Sequence, residues 1–324
     1  MSFNRHDAKA YARAHLRGIW AAALTPFRPD GAIDEQGFRR NLRHWVDELG
    51  IDGVFVSGKQ GEFFSMSLAE RKRTFDIAVE EIGGARTILS CSDQNLDTVI
   101  ELAKHAQAIG SAYIVVHAPV LHFLTQQDDT LLAYYRTVSD AVDIGIALWS
   151  HPDSGYLMSP ELCARVADLP NVVAIKYSVP REMYARLTRL AGDKLIVSTA
   201  SEEEWLDNIV ELGWQLYLCS SPPYLYQTKS DRRMHDYTDL ALRGEHARAK
   251  AVRDSLDPVR EAFKRSRPAE KFHAHSKYWQ ELLGQSGGAV RRPMLELTDA
   301  EKETTRRAFE TCGLELTGAR SAAA

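Results

Sequence analysis

Cysteine is scarce in this sequence, and its spacing excludes two classes of protein. The four cysteines, Cys91, Cys163, Cys219 and Cys312, lie far apart along 324 residues. Secreted domains held by disulfides carry cysteine at a much higher density, and zinc sites use closely spaced ligands. We therefore expect reduced thiols and a cytoplasmic protein.

Long apolar runs and clusters of a single charge are also missing. No stretch reaches the length of a membrane-spanning helix, and residues 1–17 lack the apolar core of a signal peptide. The net charge is −4, and Lys and Arg are mixed with Asp and Glu, so no basic footprint for nucleic acid or anionic lipid stands out. We expect neither a nucleic-acid partner nor a membrane partner.

The sequence does contain a regular alternation of short apolar strands and longer amphipathic helices. The predicted strands cover residues 19–25, 53–57, 87–90, 113–116, 144–149, 172–177, 195–199 and 216–219. The helices predicted between them cover residues 34–48, 68–82, 96–109, 130–142, 160–167, 180–190 and 203–212. No Gly-x-Gly-x-x-Gly follows the first strand. Eight strand-then-helix units predict an α/β fold of the closed TIM (β/α)8 barrel type.

The chain is long enough for such a barrel and for further helices. Its 324 residues, 44% of them hydrophobic, can bury one large core. We predict an N-terminal helical extension over residues 1–17 and the barrel over residues 18–230. C-terminal helices follow over residues 231–316, with helical patterns at 231–264, 276–283 and 298–312, and residues 317–324 form a frayed tail.

A lysine at the end of the sixth predicted strand is the strongest candidate for chemistry. The apolar run over residues 172–175 is typical of a strand covered on both faces, where an ammonium group is poorly solvated. Desolvation lowers the pKa of a lysine and leaves more neutral amine to attack a carbonyl, so Lys176 is a candidate Schiff-base nucleophile. The structural alternative is a lysine that reaches solvent or pairs with a buried carboxylate.

A polar turn follows the second predicted strand, where Gly58 and Gly61 flank Lys59 and Gln60. Such a turn can present backbone N–H groups to an anion such as a carboxylate. Its structural alternative is a tight connection that needs glycine geometry. Catalytic groups of barrels lie at the carboxyl ends of the strands, where this turn and Ser220, after the eighth strand, both fall.

In order and spacing, several segments resemble the dihydrodipicolinate synthase and N-acetylneuraminate lyase family of Schiff-base barrels, over nearly the whole chain. The matching segments are Leu24-Thr25-Pro26-Phe27, Gly58-Lys59-Gln60-Gly61-Glu62, Pro119, Pro152, Ala174-Ile175-Lys176 and Val290-Arg291-Arg292-Pro293. The resemblance implies a barrel with C-terminal helices that forms a homo-oligomer, a dimer or tetramer. It also implies a covalent imine between Lys176 and a 2-oxo acid, usually pyruvate, with no cofactor.

The sequence departs from that family at the positions that carry proton transfer. The family's tyrosine at the end of the fifth strand is replaced by Trp149, whose indole N–H donates a hydrogen bond but is neither acid nor base near neutral pH. Lys59 and Gln60 replace the two hydroxyl residues of the turn. The arginine that holds the second carboxylate in dihydrodipicolinate synthases has no match. These departures argue against lysine-pathway synthase activity.

The hydratase-aldolases, a subgroup that cleaves arylidene pyruvates, are similar at other positions. Their Schiff-base lysine is followed by tyrosine, as Lys176 is by Tyr177, and they have a late Ser-Lys-Tyr like residues 276–278. Trp149 and Leu121 would make an apolar pocket, which favours a flat or aromatic aldehyde. We predict an aldolase or hydratase-aldolase that acts on a pyruvate-derived 2-oxo acid with an apolar or aromatic aldehyde portion.

The proton carrier that replaces the family tyrosine is left open among four residues, Lys59, His117, His151 and Tyr177. Histidine has the most suitable unperturbed pKa, and His151 is the first choice because it lies two residues beyond Trp149. Lys59 could instead bind the substrate carboxylate or lower the pKa of Lys176 by charge repulsion. Glu62 is expected to cap the following helical turn and hold the loop.

Three other functions are compatible with the sequence. A 2-oxo acid dehydratase of the same family would use the same lysine, and a non-catalytic 2-oxo acid binding protein could keep it after losing the tyrosine. A metal-dependent enzyme could use His117, His122, His151 and Glu62. The first strand lacks a His-x-His pair and no short ligand motif is present, so we expect no metal.

Overall fold

Eight short parallel strands, each followed by a helix, make up most of the chain in the computed structural model. The structure describes residues 4–121, 127–152, 156–219 and 223–315. The strands are β1 (Gly18–Ala22), β2 (Gly53–Val56), β3 (Thr87–Ser90), β4 (Tyr113–His117), β5 (Gly145–Ser150), β6 (Val172–Tyr177), β7 (Ile196–Ser198) and β8 (Leu216–Leu218). All the pairings are parallel and follow the order β7-β6-β5-β4-β3-β2-β1-β8.

The helices of the described residues surround this sheet and extend beyond it. They are α1 (Ala8–His15), α2 (Glu35–Arg43), α3 (Leu68–Ile82), α4 (Leu96–Ala108), α5 (Asp128–Ala141), α6 (Pro160–Val166), α7 (Arg181–Ala191), α8 (Trp205–Leu212), α9 (Arg233–Leu242), α10 (His246–Asp254), α11 (Asp257–Ser266), α12 (Phe272–Leu282) and α13 (Asp299–Glu310). No helix in these four segments is both long and apolar enough to cross a membrane.

The sheet closes between β7 and β8, where a side chain completes the ring. The Ser198 hydroxyl accepts a hydrogen bond from the Leu218 amide at 2.7 Å. Together with the strand order, this contact confirms the predicted TIM (β/α)8 barrel with a C-terminal helical extension.

Strand side chains alternate between two separate apolar clusters. Trp20, Phe55 and Trp149 belong to the cluster inside the barrel, whereas Val54 and Ile175 belong to the cluster between the sheet and the helices. Because both faces are buried, the strands read as continuous apolar runs in the sequence. The alternation of the two faces is therefore visible only in the structure.

One irregularity in β6 sets the direction of Lys176. The pairing with β5 shifts by one residue between Ile146 and Ala147, so that Val173 is an extra residue. Val172 packs on the helix side and Val173 inside the barrel. Strict alternation from Val172 would turn Lys176 toward the helices, and the extra residue turns it inward instead.

The amino end of the barrel is closed by α1. Ala8, Ala12 and Leu16 are fully buried in one cluster with Trp20 and Tyr113. The carboxyl ends of the strands lie at the opposite end, which is where barrel enzymes carry their sites.

Element boundaries differ from the sequence-based prediction at several places. β3, β6 and α3 have the predicted bounds, whereas β1 ends at Ala22 instead of residue 25. The helix predicted over residues 34–48 is α2 followed by a π-helical turn, His44–Glu48. The pattern over residues 231–264 is three helices, since Gly244 has a left-handed φ of 82° and Pro258 starts α11.

The helix α9 lies where the eighth helix of the ring is expected. It packs beside α8 and against β1. We therefore propose that the barrel unit ends after α9 rather than at residue 230, and that α10 to α13 form the extension. The predicted tail over residues 317–324 lies outside the described residues.

Candidate active site

Three side chains at the carboxyl ends of β4, β5 and β6 form a row. His117 is the register partner of Trp149, and Trp149 is the register partner of Lys176. Register partners on parallel strands point to the same face, so all three side chains face the inside of the barrel. The Trp149 ring centre lies 5.4 Å from the His117 ring centre and 5.6 Å from the Nζ atom of Lys176.

Lys176 is held in an apolar environment. The side chain is buried, its Nζ donates a hydrogen bond to the Cys219 carbonyl at 2.7 Å, and the Phe55 ring centre lies 5.2 Å away. Burial, and to a lesser extent the Lys59 ammonium, lower the pKa of Lys176 to about 8. The structural alternative was a lysine that reaches solvent or pairs with a buried carboxylate. The Lys176 amine is instead buried, and the acceptor of its hydrogen bond is a backbone carbonyl.

A cavity of about 400 Å³ opens beside this row, a size that suits a small-molecule ligand. Its lining residues come from the loops after β2, β3, β4 and β5, and they are Lys59, Phe63, Phe64, Asp93, Gln94, His117, Val120, Trp149 and His151. Four of these side chains, Phe63, Phe64, Val120 and Trp149, give the cavity apolar walls. The other five are polar and could orient a ligand.

The turn after β2 needs its glycines for space rather than for backbone direction. The left-handed residues are Ser57 and Glu62, with φ of 53° and 57°. A Cβ atom on Gly58 would lie 2.6 Å from the Phe55 ring, and one on Gly61 would lie 3.1 Å from the chain that follows β1. The turn therefore packs directly over Phe55, whose ring contacts Lys176.

The same turn is fastened to the C-terminal extension. Glu62 is fully buried, pairs with Lys277 of α12 at 2.6 Å and accepts a hydrogen bond from the Arg291 amide at 2.9 Å. His273 of α12 donates from Nε2 to the Lys59 carbonyl at 2.9 Å. Glu62 holds the loop as predicted, but its side chain makes no hydrogen bond that caps the next helical turn, because these distant groups hold its carboxylate instead.

Three of the predicted site residues, Lys59, Trp149 and His151, line the same cavity, and the Nζ atom of Lys176 lies 5.6 Å from the Trp149 ring centre. Gln60 is buried within the turn. Ser220, like His122 of the metal alternative, lies outside the described residues.

Two predicted site residues face elsewhere. Tyr177 points to the helix side of β6, where its hydroxyl donates to the Met158 carbonyl and burial raises its pKa far above the ordinary value. It cannot reach the barrel interior, because it neighbours the inward-facing Lys176 on the strand. Leu121 packs against the helix-side core, and Val120 lines the cavity instead.

Sequence reasoning missed the loop after β3. Asp93 lines the cavity and pairs with the buried Arg71 at 3.1 Å, and the Gln94 side chain accepts a hydrogen bond from the Val120 amide at 2.9 Å. Both residues follow the carboxyl end of a strand. That position is the signal that would have found them.

The metal alternative can be compared with the structure only at His117, His151 and Glu62, since His122 lies outside the described residues. Within the described ranges, no group of three or more His, Cys, Asp or Glu side chains is arranged to hold a metal. Glu62, the carboxylate of the metal alternative, is committed to Lys277 and the Arg291 amide.

Comparison with known proteins identifies the relatives of this arrangement. The profile of the dihydrodipicolinate synthetase family matches residues 15–311, which is most of the chain. The chain belongs to the dihydrodipicolinate synthetase family. Members of this family are class I aldolase-type lyases that form a covalent Schiff base with a lysine and use no metal or other cofactor.

Individual relatives of this family member carry two activities in their names. A 4-hydroxy-tetrahydrodipicolinate synthase of Methylobacterium radiotolerans is 27% identical over 304 residues, which is 93% of this chain and 97% of the relative. An N-acetylneuraminate lyase of Clostridium perfringens is 32% identical over 190 residues, 58% of this chain and 65% of the relative.

Solved structures in the family share the fold. A prophage protein of the dihydrodipicolinic acid synthase family from E. coli, in complex with pyruvate, has a TM-score of 0.81 at 21% identity and covers 91% of this chain and 98% of its own. At this identity the likeness concerns the fold alone. Family membership makes the chain a class I Schiff-base lyase that acts on pyruvate, in a family that binds small 2-oxo acids and is usually oligomeric.

Proposed function

We propose that the protein is an aldolase or hydratase-aldolase that cleaves a pyruvate-derived 2-oxo acid with an apolar or aromatic aldehyde portion. Lys176 forms the imine with the 2-oxo group. The observation that carries the proposal is the buried Lys176 amine beside an aromatic-walled cavity. The binding protein, one of the alternatives from the sequence, is an outcome of the tests below.

The surroundings of Lys176 support its role as nucleophile. Attack on a carbonyl needs a neutral amine, and a lysine with a pKa of about 8 supplies a useful fraction of it near neutral pH. The hydrogen bond to the Cys219 carbonyl orients the amine across the barrel. The alkyl chain is buried, so little side-chain entropy remains to be lost when the imine forms.

The turn over residues 58–62 supports binding of the substrate carboxylate. Lys59 lines the cavity and its ammonium is close enough to influence Lys176. A carboxylate bound there would accept charge-assisted hydrogen bonds from Lys59, each worth about 1.5–3 kcal/mol. The substrate carboxylate would also bring a negative charge between two ammonium groups.

The cavity walls support an apolar aldehyde portion. Phe63, Phe64 and Val120 offer apolar surface, and the two phenyl rings can stack on a flat ligand. The buried Nε1 of Trp149 has no hydrogen-bond partner among the described residues. An unmade hydrogen bond of a buried donor costs about 1–3 kcal/mol, so an oxygen atom of the bound substrate is a suitable acceptor.

Borohydride trapping tests the nucleophile. Wild-type protein treated with pyruvate and borohydride should gain the mass of one reduced pyruvate adduct, and Lys176→Ala should gain none while keeping its melting temperature. Lys72→Met, which removes a surface lysine paired with Glu101, is the matched control and should trap normally. An adduct of equal yield in Lys176→Ala would refute the assignment.

A comparison of substrates tests the aldehyde portion. Wild-type protein should release pyruvate from an arylidene pyruvate or a 4-aryl-4-hydroxy-2-oxo acid faster than it condenses pyruvate with aspartate semialdehyde. If synthase activity is the faster of the two, the apolar assignment is wrong although the Schiff base stands. Trapping without any cleavage or condensation would favour the binding protein.

A further inference from the structure

His117 lies in the site with its ring fixed in one direction. The side chain is only 8% exposed and lines the cavity. Its Nδ1 lies 2.9 Å from the Ala118 carbonyl oxygen, which can only accept, so Nδ1 carries the hydrogen. In the neutral ring, Nε2 is then a proton acceptor.

Burial favours the neutral form of His117. Arg71 and Asp93, an ion pair, lie on one side, and Lys59 and His151 line the same cavity. Burial is the largest cause that lowers the pKa of His117 below its ordinary value. A neutral imidazole is the form that can take a proton from a carbon acid.

We propose that His117 is the catalytic proton carrier of this enzyme. The inference rests on the proposed function, because it needs an imine on Lys176. It follows from the row His117, Trp149 and Lys176, which sets the histidine two strands from the amine on the same face of the barrel. At about 4.8 Å per strand, the two backbones lie about 10 Å apart, a gap that a bound pyruvate and two side chains can span.

The proton moves in a balanced cycle. Nε2 of His117 takes a proton from C3 of the pyruvate imine, and the electrons of that C–H bond form the C2=C3 double bond of the enamine while the iminium nitrogen becomes neutral. The enamine carbon then attacks the aldehyde carbon, the electrons of the aldehyde C=O bond pass to its oxygen, and the iminium forms again; water later hydrolyses this iminium and frees Lys176. The aldehyde oxygen takes the proton back from Nε2 and becomes the hydroxyl group. Cleavage is the reverse of these steps.

The other candidates are less well situated. His151 is partly exposed and also borders a second cleft of about 480 Å³. Tyr177 faces the helices. Trp149 lies on the strand between those of His117 and Lys176, and its indole cannot itself exchange a proton.

Two readouts on the full chain test the proposal. Borohydride trapping with pyruvate reports the imine, and exchange of the pyruvate methyl hydrogens with D2O, followed by NMR, reports proton removal from C3.

The variants are His117→Gln, which puts an amide near the Nε2 position, and His117→Asn, which keeps a donor near the Ala118 carbonyl. His151→Gln is the competing variant. His105→Gln is the matched control, since His105 pairs with Asp76 away from the cavity.

Both His117 variants should trap pyruvate but lose exchange by at least about 100-fold, the contribution of a general base. His105→Gln should match wild type, and His151→Gln should lose less than about tenfold. Exchange within about threefold of wild type in either His117 variant overturns the proposal. Loss of trapping in both His117 variants also overturns it, because the role of His117 is then structural. An equal loss of exchange in His151→Gln overturns it as well. If the wild type fails to trap pyruvate, the proposed function fails first and this inference fails with it.

Discussion

The reactivity of Lys176 depends on its immediate surroundings more than on its residue type. Phe55 and Trp149 exclude water from the amine, and no ring can hydrate an ammonium group as water does. The amine is therefore easier to deprotonate than a surface lysine. The nearby Lys59 ammonium acts in the same direction.

This environment predicts the pH dependence of imine formation. The neutral amine attacks, so the trapping rate should rise with pH and level off above about 8 rather than near the ordinary 10.5. Lys59→Met removes a positive charge, which raises the pKa of Lys176 and moves the midpoint to higher pH. The same variant should weaken pyruvate binding by roughly one to two powers of ten. Trapping rates measured from pH 6 to about 10.5 check both effects.

The matched control for this shift is Lys72→Met, which should keep the wild-type midpoint. A midpoint that stays fixed in Lys59→Met would mean that burial alone sets the pKa of Lys176. Unchanged pyruvate affinity in the same variant would remove Lys59 from the carboxylate site.

Single residues were predictable where their neighbours in sequence define them. Lys176 ends an apolar strand, and that context indicates burial without any knowledge of the fold. Tyr177 faces the helices because two adjacent strand residues point to opposite sides, and an apolar run does not say which side is the inside. His151 was the first choice from its distance along the chain to Trp149, and the enclosed position of His117 in the cavity is visible only in the structure.

The turn over residues 58–62 and the helix α12 act as one unit. Glu62 and Lys277 form a buried ion pair, and Lys277 also donates to the Ala289 carbonyl at 2.6 Å. His273 holds the Lys59 carbonyl from the same helix. The C-terminal extension thereby fixes the part of the site that is proposed to hold the carboxylate.

Breaking this ion pair should be costly. Lys277→Met leaves a buried carboxylate without its partner, which destabilises a protein by about 3–5 kcal/mol. The double variant Glu62→Gln with Lys277→Met removes both charges and should recover part of that loss. Denaturant midpoints of the three proteins check this order, with pyruvate affinity as a second readout. A single variant as stable as wild type would show that the pair contributes no net stability.

The sequence predicted whether a segment is a helix or a strand better than it predicted the residues at which the segment begins and ends. Periodic patterns gave α3, and a run bounded by Pro170 and Pro180 gave β6. The π-helical turn over His44–Glu48 continues the same face as α2, so the sequence pattern does not separate them. The bond from Glu62 to Lys277 joins positions more than two hundred residues apart in the sequence, and no local pattern reveals such a contact.

At the scale of the whole molecule, the barrel is closed at its amino end and carries the candidate active site at its carboxyl end. The α1 helix closes the amino end, and the loops after β2 to β5 build the cavity at the other. Eight strand-then-helix units were visible in the sequence because each is a local pattern. The hydrogen bond from the Leu218 amide to Ser198, which links β8 to β7, was not visible, because it joins a side chain to a distant backbone.

The burial of the four cysteines predicts that their thiols are unreactive in the folded protein. All four cysteines are free and buried, and burial raises the pKa of Cys91, Cys163, Cys219 and Cys312. The folded protein should therefore resist an aromatic disulfide reagent at pH 8, and all four thiols should react after unfolding in guanidinium. Absorbance of the released thiolate counts them. Fast reaction of any thiol in the folded protein would contradict this uniform burial.

The extra residue in β6 has a consequence for tolerance to changes in chain length. Val173 lies before the point from which β5 and β6 pair regularly up to Trp149 and Lys176. A deletion of Val173 restores strict alternation from Val172 and leaves Lys176 facing inward. A deletion after Ala174 turns the lysine toward the helices. Natural length variation in this strand is therefore compatible with catalysis only on the amino side of Ala174.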